Sequence, residues 1–361
     1  MKIVIFAGGF GTRMWPASRK SYPKQFYPIL KGKSFFQITV ERFKKQFSAK
    51  DIWVSTEHKY VEYVKKQAPE IPTGNIIAEP ERRDNLGAIG LVASTIEALY
   101  PKTVIFFSWS DHFIDKEDIF LQAAKKASEY AEQTGRPVSI DQEPTFPSVH
   151  NGWLKLGKKV KEDGKFDLYE IVRHTEKPNL YTAKRFYRSK DYLIHTGYGA
   201  WRSDVLLDYY KEYAPQMYKG LEKISKRIGK SDYKSILKRE YHKFEKTSVD
   251  LGLFEHIPSR QRLTIPVEMG WRDAGTWQLL YESLAKDSEE NVLTGHGDIQ
   301  TIDSEGNLVL VPEGKMVGLI GVSNLAIIDT PDGLLISSLD KTKKVKEMFQ
   351  ILEEKKSKYV E

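Results

Sequence analysis

The stretch Met1–Phe26, MKIVIFAGGFGTRMWPASRKSYPKQF, runs from a compact apolar segment into a glycine-rich turn carrying Arg13, Arg19, Lys20 and Lys24. Met1–Ala7 reads as a buried strand. The glycines behind it allow the backbone to approach a ligand closely and to turn N–H groups toward it. Outward from this start, apolar runs at Asp51–Ser55, Asn75–Ala78, Thr103–Ser108 and Pro137–Ile140 alternate with helical patterns over Ser34–Phe47, Tyr60–Gln67, Asn85–Tyr100 and Ile119–Glu132. That alternation argues for a mostly parallel sheet with helices on its faces. Gly152–Arg202 reads as strands and loops, and helices follow over Asp204–Ile228 and Tyr233–Phe244. After Trp277–Ala285 the texture changes. Val292–Ser338 alternates strand-like pieces with the turns GHGD, DSEGN, PEGK, GVSN and TPDG, which suggests a short β-helix or a small sandwich. Lys341–Lys356 reads as a basic helix docked on the outside.

The 361 residues suggest two domains, or one large domain with an appendage. The absence of cysteine excludes a disulfide scaffold, a thiolate zinc site and a cysteine nucleophile. No apolar run is long enough to span a membrane, and glycines and Arg13 interrupt the N-terminal run where a signal peptide would continue. A soluble cytoplasmic protein without membrane partners is expected. Residues 1–50 hold eleven Lys+Arg against the single acid Glu41, a net of +10 that leaves −3 for the other 311. A uniformly basic nucleic-acid binder would not be distributed in this way, whereas a phosphate-handling N-terminal segment would.

In the turn itself, Arg13 offers a planar fork of donors for phosphate oxygens and Lys24 a compact point charge. The spacing is neither that of a P-loop, lacking the GK[ST] end, nor the GxGxxG dinucleotide fingerprint, whose third glycine is Met14 here. Asp111 follows the apolar run in SWSDHFI, at the carboxyl end of a strand, where open α/β sheets bind ligands. Asp273 lies in MGWRDAGTW. Their oxygens suit Mg²⁺, although a single aspartate after a strand is more often a helix N-cap.

The segment AGGFGTRMWPASRKSYPKQF resembles the N-terminal motif of the sugar-phosphate nucleotidyltransferases, and is close to the pattern AGGxGTRLWPLSRxxxPKQF of members that transfer a guanylyl group. The resemblance covers most of residues 1–285 and extends weakly through 286–345. It implies that Ala7, Gly8, Gly9, Gly11 and Thr12 fold over the nucleotide, with Arg13 on the departing pyrophosphate and Lys24 on the phosphates around the reacting phosphorus. SWSDH and GWRDAGTW correspond to the family's two metal-bearing stretches, so Asp111 and Asp273 are implied to hold the Mg²⁺ cofactor. Asp115 and Asp118 read as ordinary helix-start acids. Glu79-Pro80 with Arg83 resembles the family's base-side segment, and a carboxylate at Glu79 can accept from both guanine N1–H and the exocyclic amine.

Pro144-Thr145-Phe146-Pro147 and Gly152-Trp153 resemble the stretch lining the nucleotide–sugar cleft. Glu176-Lys177-Pro178 resembles the family's EKP, in which the glutamate accepts from sugar hydroxyls and the lysine, Lys177 here, holds the sugar phosphate. Asp250 in TSVDLGLFE is implied to contact the sugar. Three departures stand out. Asp84-Asn85 replace an asparagine and threonine, the glycine-tyrosine stretch survives mainly as Gly152-Trp153, and His195 stands where a sugar-loop asparagine amide is expected.

The fold expected is α/β, with a Rossmann-like, mostly parallel mixed sheet flanked by helices. Residues 1–285 would form the catalytic domain. Residues 286–361 would form a small C-terminal β-rich, short β-helix-like module with a terminal helix, itself a candidate homodimer interface. The activity implied is transfer of a guanylyl group from GTP to a sugar-1-phosphate, mannose-1-phosphate before others. His195 leaves a different sugar-1-phosphate as the first alternative, and a non-catalytic sugar-nucleotide sensor as the second. An isomerase half is not expected, since no stretch is left for a cupin-type metal domain.

Overall fold

The computed structural model describes residues 1–30 and 32–361; Lys31, one of the N-terminal cations, lies outside the described residues. In chain order the strands that position the site are β1 (Lys2–Phe6), β2 (Ile52–Glu57), β3 (Ile76–Glu79), β4 (Val104–Trp109), β5 (His112–Phe113), β6 (Val138–Gln142), β7 (Trp153–Lys161), β8 (Leu168–Thr175), β9 (Tyr192–Arg202), β10 (Leu263–Val267) and β11 (Arg272–Asp273). β5 and β11 make a separate ribbon, and the others form one sheet in the order β3-β2-β1-β4-β9-β6-β10-β8-β7. The first four strands run parallel. β9 then runs antiparallel between β4 and β6, and β10 returns parallel to β6. The sheet is therefore mixed, with its N-terminal half wholly parallel.

β1 shows why these residues make this sheet. Ile3 and Ile5 pack with Val40 and Phe43 on one face, while Val4 and Phe6 pack with Leu91, Val92 and Ile96 on the other. A strand covered on both faces by helices reads as an unbroken apolar run. The helix Phe35–Lys44 opens on a capping box, in which Gln37 N–H donates to Ser34 Oγ at 3.1 Å and Ser34 N–H donates to Gln37 Oε1 at 3.0 Å. In the stretch read as strands and loops there is also a helix, Leu180–Ser189, capped by Asn179. It buries only Ala183 and Phe186, too narrow an apolar stripe to stand out in sequence.

The C-terminal strands Val292–Gly295, Leu308–Val311 and Leu325–Thr330 stack in parallel, as do Asp298–Ile302 and Met316–Ile320. Val292 lies beside Leu308 and Leu308 beside Ala326, so each coil of chain rests on the one before it, in the manner of a short β-helix. Leu308, Leu310 and Ile328 of this module share a core with Met14, Ala17 and Trp277. Inside the stack, fully buried Asn307 bridges three coils. Its Nδ2 donates to Asn291 Oδ1 (2.8 Å) and to the Val322 carbonyl (3.0 Å), while its Oδ1 accepts from Leu325 N–H (2.9 Å). Removing a buried partner leaves the remaining groups unpaired, at about 1–3 kcal/mol each. Asn307→Leu is accordingly expected to lower the melting temperature measured by calorimetry; an unchanged melting temperature would contradict this account of the stack.

Candidate active site

The turn after β1 places Gly9 (φ 72°) and Gly11 (φ 71°) in the left-handed region, where side chains are strained. Gln25 Nε2 donates to the carbonyls of Ala7 (3.0 Å) and Gly9 (2.9 Å), and Ser18 Oγ donates to the Gly11 carbonyl (2.6 Å). None of these carbonyls is then free to turn toward a ligand. Gly11 lies directly on the stem of Lys24, and a Cβ there would come within 2.7 Å of Lys24 Cγ and Cδ. Gly11→Ala is thus expected to cut turnover by about a hundredfold through displacement of Lys24, with the circular dichroism spectrum unchanged. Wild-type turnover would sink this reading of the loop.

Lys24 Nζ meets Asp111 Oδ2 at 2.6 Å. Asp111 sits in the turn between β4 and β5, and the next residue, His112, pairs with Asp273 on β11. The two aspartates therefore share one wall of a cleft of about 540 Å³, which Arg13 and Lys24 also line. A Cβ on Gly275 would lie 2.9 Å from Asp273 Oδ2 and 3.0 Å from an Arg13 guanidinium nitrogen, so these two groups are neighbours as well. Burial pushes the Asp111 carboxyl up, but the charges of Lys24, His112 and Arg13 outweigh it and hold it down at about 2. Among the described residues no cluster of three or more metal-ligating side chains occurs. Two carboxylates on one wall fit a hard cation that takes its remaining oxygens from phosphates and water, as Mg²⁺ does.

Gly152, Glu176, Lys177, His195 and Asp250 line the same cleft. His195 N–H donates to the Gly152 carbonyl at 2.8 Å. A Cβ on Gly152 would fall 2.8 Å from Glu176 Oε2 and 2.6 Å from His174 Nε2, so only glycine leaves these groups in place. The His174 and Lys177 side chains hold the Glu176 carboxyl at about 2 against its partial burial.

Glu79 and Arg83 stand apart from this group. Glu79 is buried at the end of β3 beside Glu57 on β2, and the Tyr241 hydroxyl donates to its Oε2 at 2.6 Å. Burial, helped by the Glu57 charge and opposed by Tyr241, pushes its carboxyl up to about 7. Arg83 donates to Glu81 and lies against His242 instead. Arg82 is the cation that reaches the glycine turn, 3.9 Å from where a Cβ on Gly9 would be and over the Phe10 ring. Because the folded-state pKa of Glu79 lies above its ordinary value of 4.5, ionisation costs stability that is intact below about 4.5 and lost as pH rises to about 7. Glu79→Gln should gain on wild type by on the order of 3 kcal/mol between those limits; a stability gap that does not change with pH would contradict the burial assigned to this carboxylate.

Residues 2–290 match the family profile described as nucleotidyl transferase. The chain belongs to the nucleotidyl transferase family. Residues 297–352 of this nucleotidyltransferase match a second profile, the mannoseP isomerase/GMP-like β-helix domain. Among curated relatives, a mannose-1-phosphate guanylyltransferase of Salmonella muenchen is 30% identical over 353 residues, covering 97% of this chain and 72% of that protein. The enzyme of the same name from Escherichia coli K12 is 28% identical, covering 96% and 72%. A solved structure from Thermus thermophilus, described as a mannose-1-phosphate geranyltransferase, superposes with a TM-score of 0.85 at 25% identity over 98% of this chain and 99% of its own. No helix among the described residues is long and apolar enough to cross a membrane.

Four features of this nucleotidyltransferase site escaped the sequence. Arg82 and the buried Asp141 beside His195 carry no signal beyond their residue type, and Gln25, although inside the N-terminal motif, gave no sign that it ties the carbonyls of the turn. The fourth is larger. The last helix, Val345–Glu354, and the tail after it do not dock on a remote surface but clamp the glycine turn. Phe349 stacks on Phe10, the Tyr359 carbonyl accepts from Trp15 Nε1 at 2.8 Å, and Lys20 pairs with Glu353 (2.8 Å) and Glu361 (3.1 Å). Arg19 pairs with Asp332 at 2.6 Å. Two cations of the turn thus face the C-terminal module rather than the cleft.

Proposed function

We propose that the chain transfers the guanylyl group of GTP to mannose-1-phosphate, releasing pyrophosphate and forming GDP-mannose. The observation carrying this reading is one cleft lined by Lys24, Arg13 and two aspartates together with Glu176, Lys177, His195 and Asp250. The curated relatives, mannose-1-phosphate guanylyltransferases, support the choice of substrates.

In this reading an oxygen of the sugar phosphate attacks the α-phosphorus, the new O–P bond forms, and the bond to the bridging oxygen breaks with its electron pair leaving on pyrophosphate. A phosphate dianion needs no general base, so alignment and charge neutralisation do the work. Lys177 holds the attacking phosphate, and Glu176 and Asp250 accept from sugar hydroxyls. Lys24 balances charge on the α-phosphate while Arg13 stabilises the departing pyrophosphate. The turn Ala7, Gly8, Gly9, Gly11 and Thr12 covers the nucleotide; Glu79, bonded to Tyr241, and Arg83, paired with Glu81, point elsewhere and are given no part in holding the guanine. Asp111 and Asp273 are the residues that would hold Mg²⁺, which when bound supplies positive charge to the phosphates. In this arrangement residues 1–285 carry the chemistry and 286–361 brace the turn, a division supported by the change of family profile between residues 290 and 297.

The test is a pyrophosphate-release screen crossing four nucleoside triphosphates with several sugar-1-phosphates. Release with GTP and mannose-1-phosphate above all other pairs is expected, and no release with any pair would refute the reading. In the same assay Lys24→Ala and Asp111→Asn should each lose more than about a hundredfold in kcat, the range removed with single transition-state stabilising groups. Retention of near-normal turnover by either folded variant would remove that residue from the chemistry.

A further inference from the structure

His195 reaches the cleft because of an irregularity in the sheet. Along β6, Ile140 pairs with Tyr198 and Gln142 with Ile194, so the three residues His195, Thr196 and Gly197 on β9 stand opposite the single residue Asp141. Bulges of this kind re-aim side chains beside active sites. Gly197, with φ 77°, takes the turn. Asp141 fills the concave side and is fully buried, an expensive place for a carboxylate unless every oxygen is paired. It is paired throughout. Oδ1 meets His195 Nδ1 at 2.9 Å and accepts from Thr196 N–H at 3.1 Å, while Oδ2 accepts from Thr264 Oγ1 at 2.7 Å and from Ser139 Oγ. With Nδ1 committed to Asp141, the opposite ring nitrogen, Nε2, is the one left for the cleft.

We infer that Asp141 is a positioning residue that fixes His195 as a charged Nε2–H donor to a hydroxyl of the hexose-1-phosphate, an inference that rests on the proposed sugar-1-phosphate site. A carboxylate behind an imidazole sets both its tautomer and its charge. Burial pulls the His195 pKa down, but the charge and hydrogen bond of Asp141 outweigh it, and the net direction is up. The other groups around the ring are His174, packed edge-on at 5.3 Å between ring centres, Asp250, which favours the cation, and Arg262, which opposes it. Glu176 and Lys177 lie behind His174. Since the charged form binds, sugar affinity is present below the His195 pKa and lost as pH rises through it.

The experiment measures KM for mannose-1-phosphate and for GTP from pH 6 to 9 in wild type, Asp141→Asn and His195→Gln. The second ionisation of the sugar phosphate is common to all three, so differences between proteins report the histidine. In wild type the sugar KM should rise about tenfold with pH, the size of one charge-assisted hydrogen bond. Asp141→Asn should shift that rise to lower pH, and His195→Gln should give a raised KM without the histidine-dependent rise. KM for GTP should stay within about twofold throughout. Should Asp141→Asn fail to fold, the His195→Gln profile decides alone. A sugar KM profile in His195→Gln matching wild type would overturn the inference, as would a folded Asp141→Asn with the wild-type profile. Calorimetric titration with mannose-1-phosphate alone separates the two levels. Binding that responds to pH and to His195→Gln supports the dyad even where no pyrophosphate is released, and binding indifferent to both overturns it.

Discussion

Lys24 and Asp111 meet at 2.6 Å, the first carried by the turn after β1 and the second by the turn after β4, two parallel neighbours in the sheet. That contact constrains the rest of the cleft. It needs the Lys24 stem to lie flat, which only a glycine at position 11 permits. It also needs the turn to keep its shape, and Gln25 helps by tying the Ala7 and Gly9 carbonyls. The β5–β11 ribbon then brings Asp273 to the same wall from a point in the chain more than a hundred residues later. An isolated buried carboxylate beside a lysine would be a poor source of stability. What the contact does is hold charges of both signs side by side in the cleft.

The excess of positive charge in residues 1–50 has a broader use than phosphate binding. Arg19 and Lys20 join the turn to the C-terminal module through Asp332, Glu353 and Glu361. Arg42 and Lys45 both pair with Glu117, and Lys44 with Glu70. Most exposed pairs of this kind contribute little to stability. In the Arg19–Asp332 contact, as in Arg42–Glu117, the arginine is nearly buried, and Arg19 also lies over the Trp15 ring. Through the Asp332 contact the C-terminal module is continuous with the glycine turn, so the module is part of the scaffold of that turn rather than an appendage beside it.

Much of this was legible in the chain, and what was not follows a pattern. Strands covered on both faces announce themselves as apolar runs, which is why β1 and β4 stood out. A mixed sheet was expected as well, but which strands run antiparallel was not, because β9 and β10 are separated from their partners by long insertions and pairing direction leaves no local trace. Arg13, Lys24, Asp111 and Asp273 could be singled out by type and setting, and the family resemblance implied that the two aspartates act together; pattern alone could not show it, because their convergence in one cleft depends on a two-residue ribbon with no periodicity to read. Asp141 was invisible for a different reason. A polar residue inside an apolar strand looks like an imperfection until the hydroxyls of Ser139 and Thr264 and the His195 ring are seen around it.

The central claim is that the cleft aligns two phosphates for direct in-line displacement at the α-phosphorus, with no enzyme nucleophile between them. Reaction of mannose-1-phosphate with a single stereoisomer of GTP carrying sulfur on the α-phosphate, followed by phosphorus NMR of the GDP-sugar product, tests it most directly. Inversion of configuration at the α-phosphorus is the predicted result. Retention would contradict the account, since it requires two displacements and a covalent intermediate.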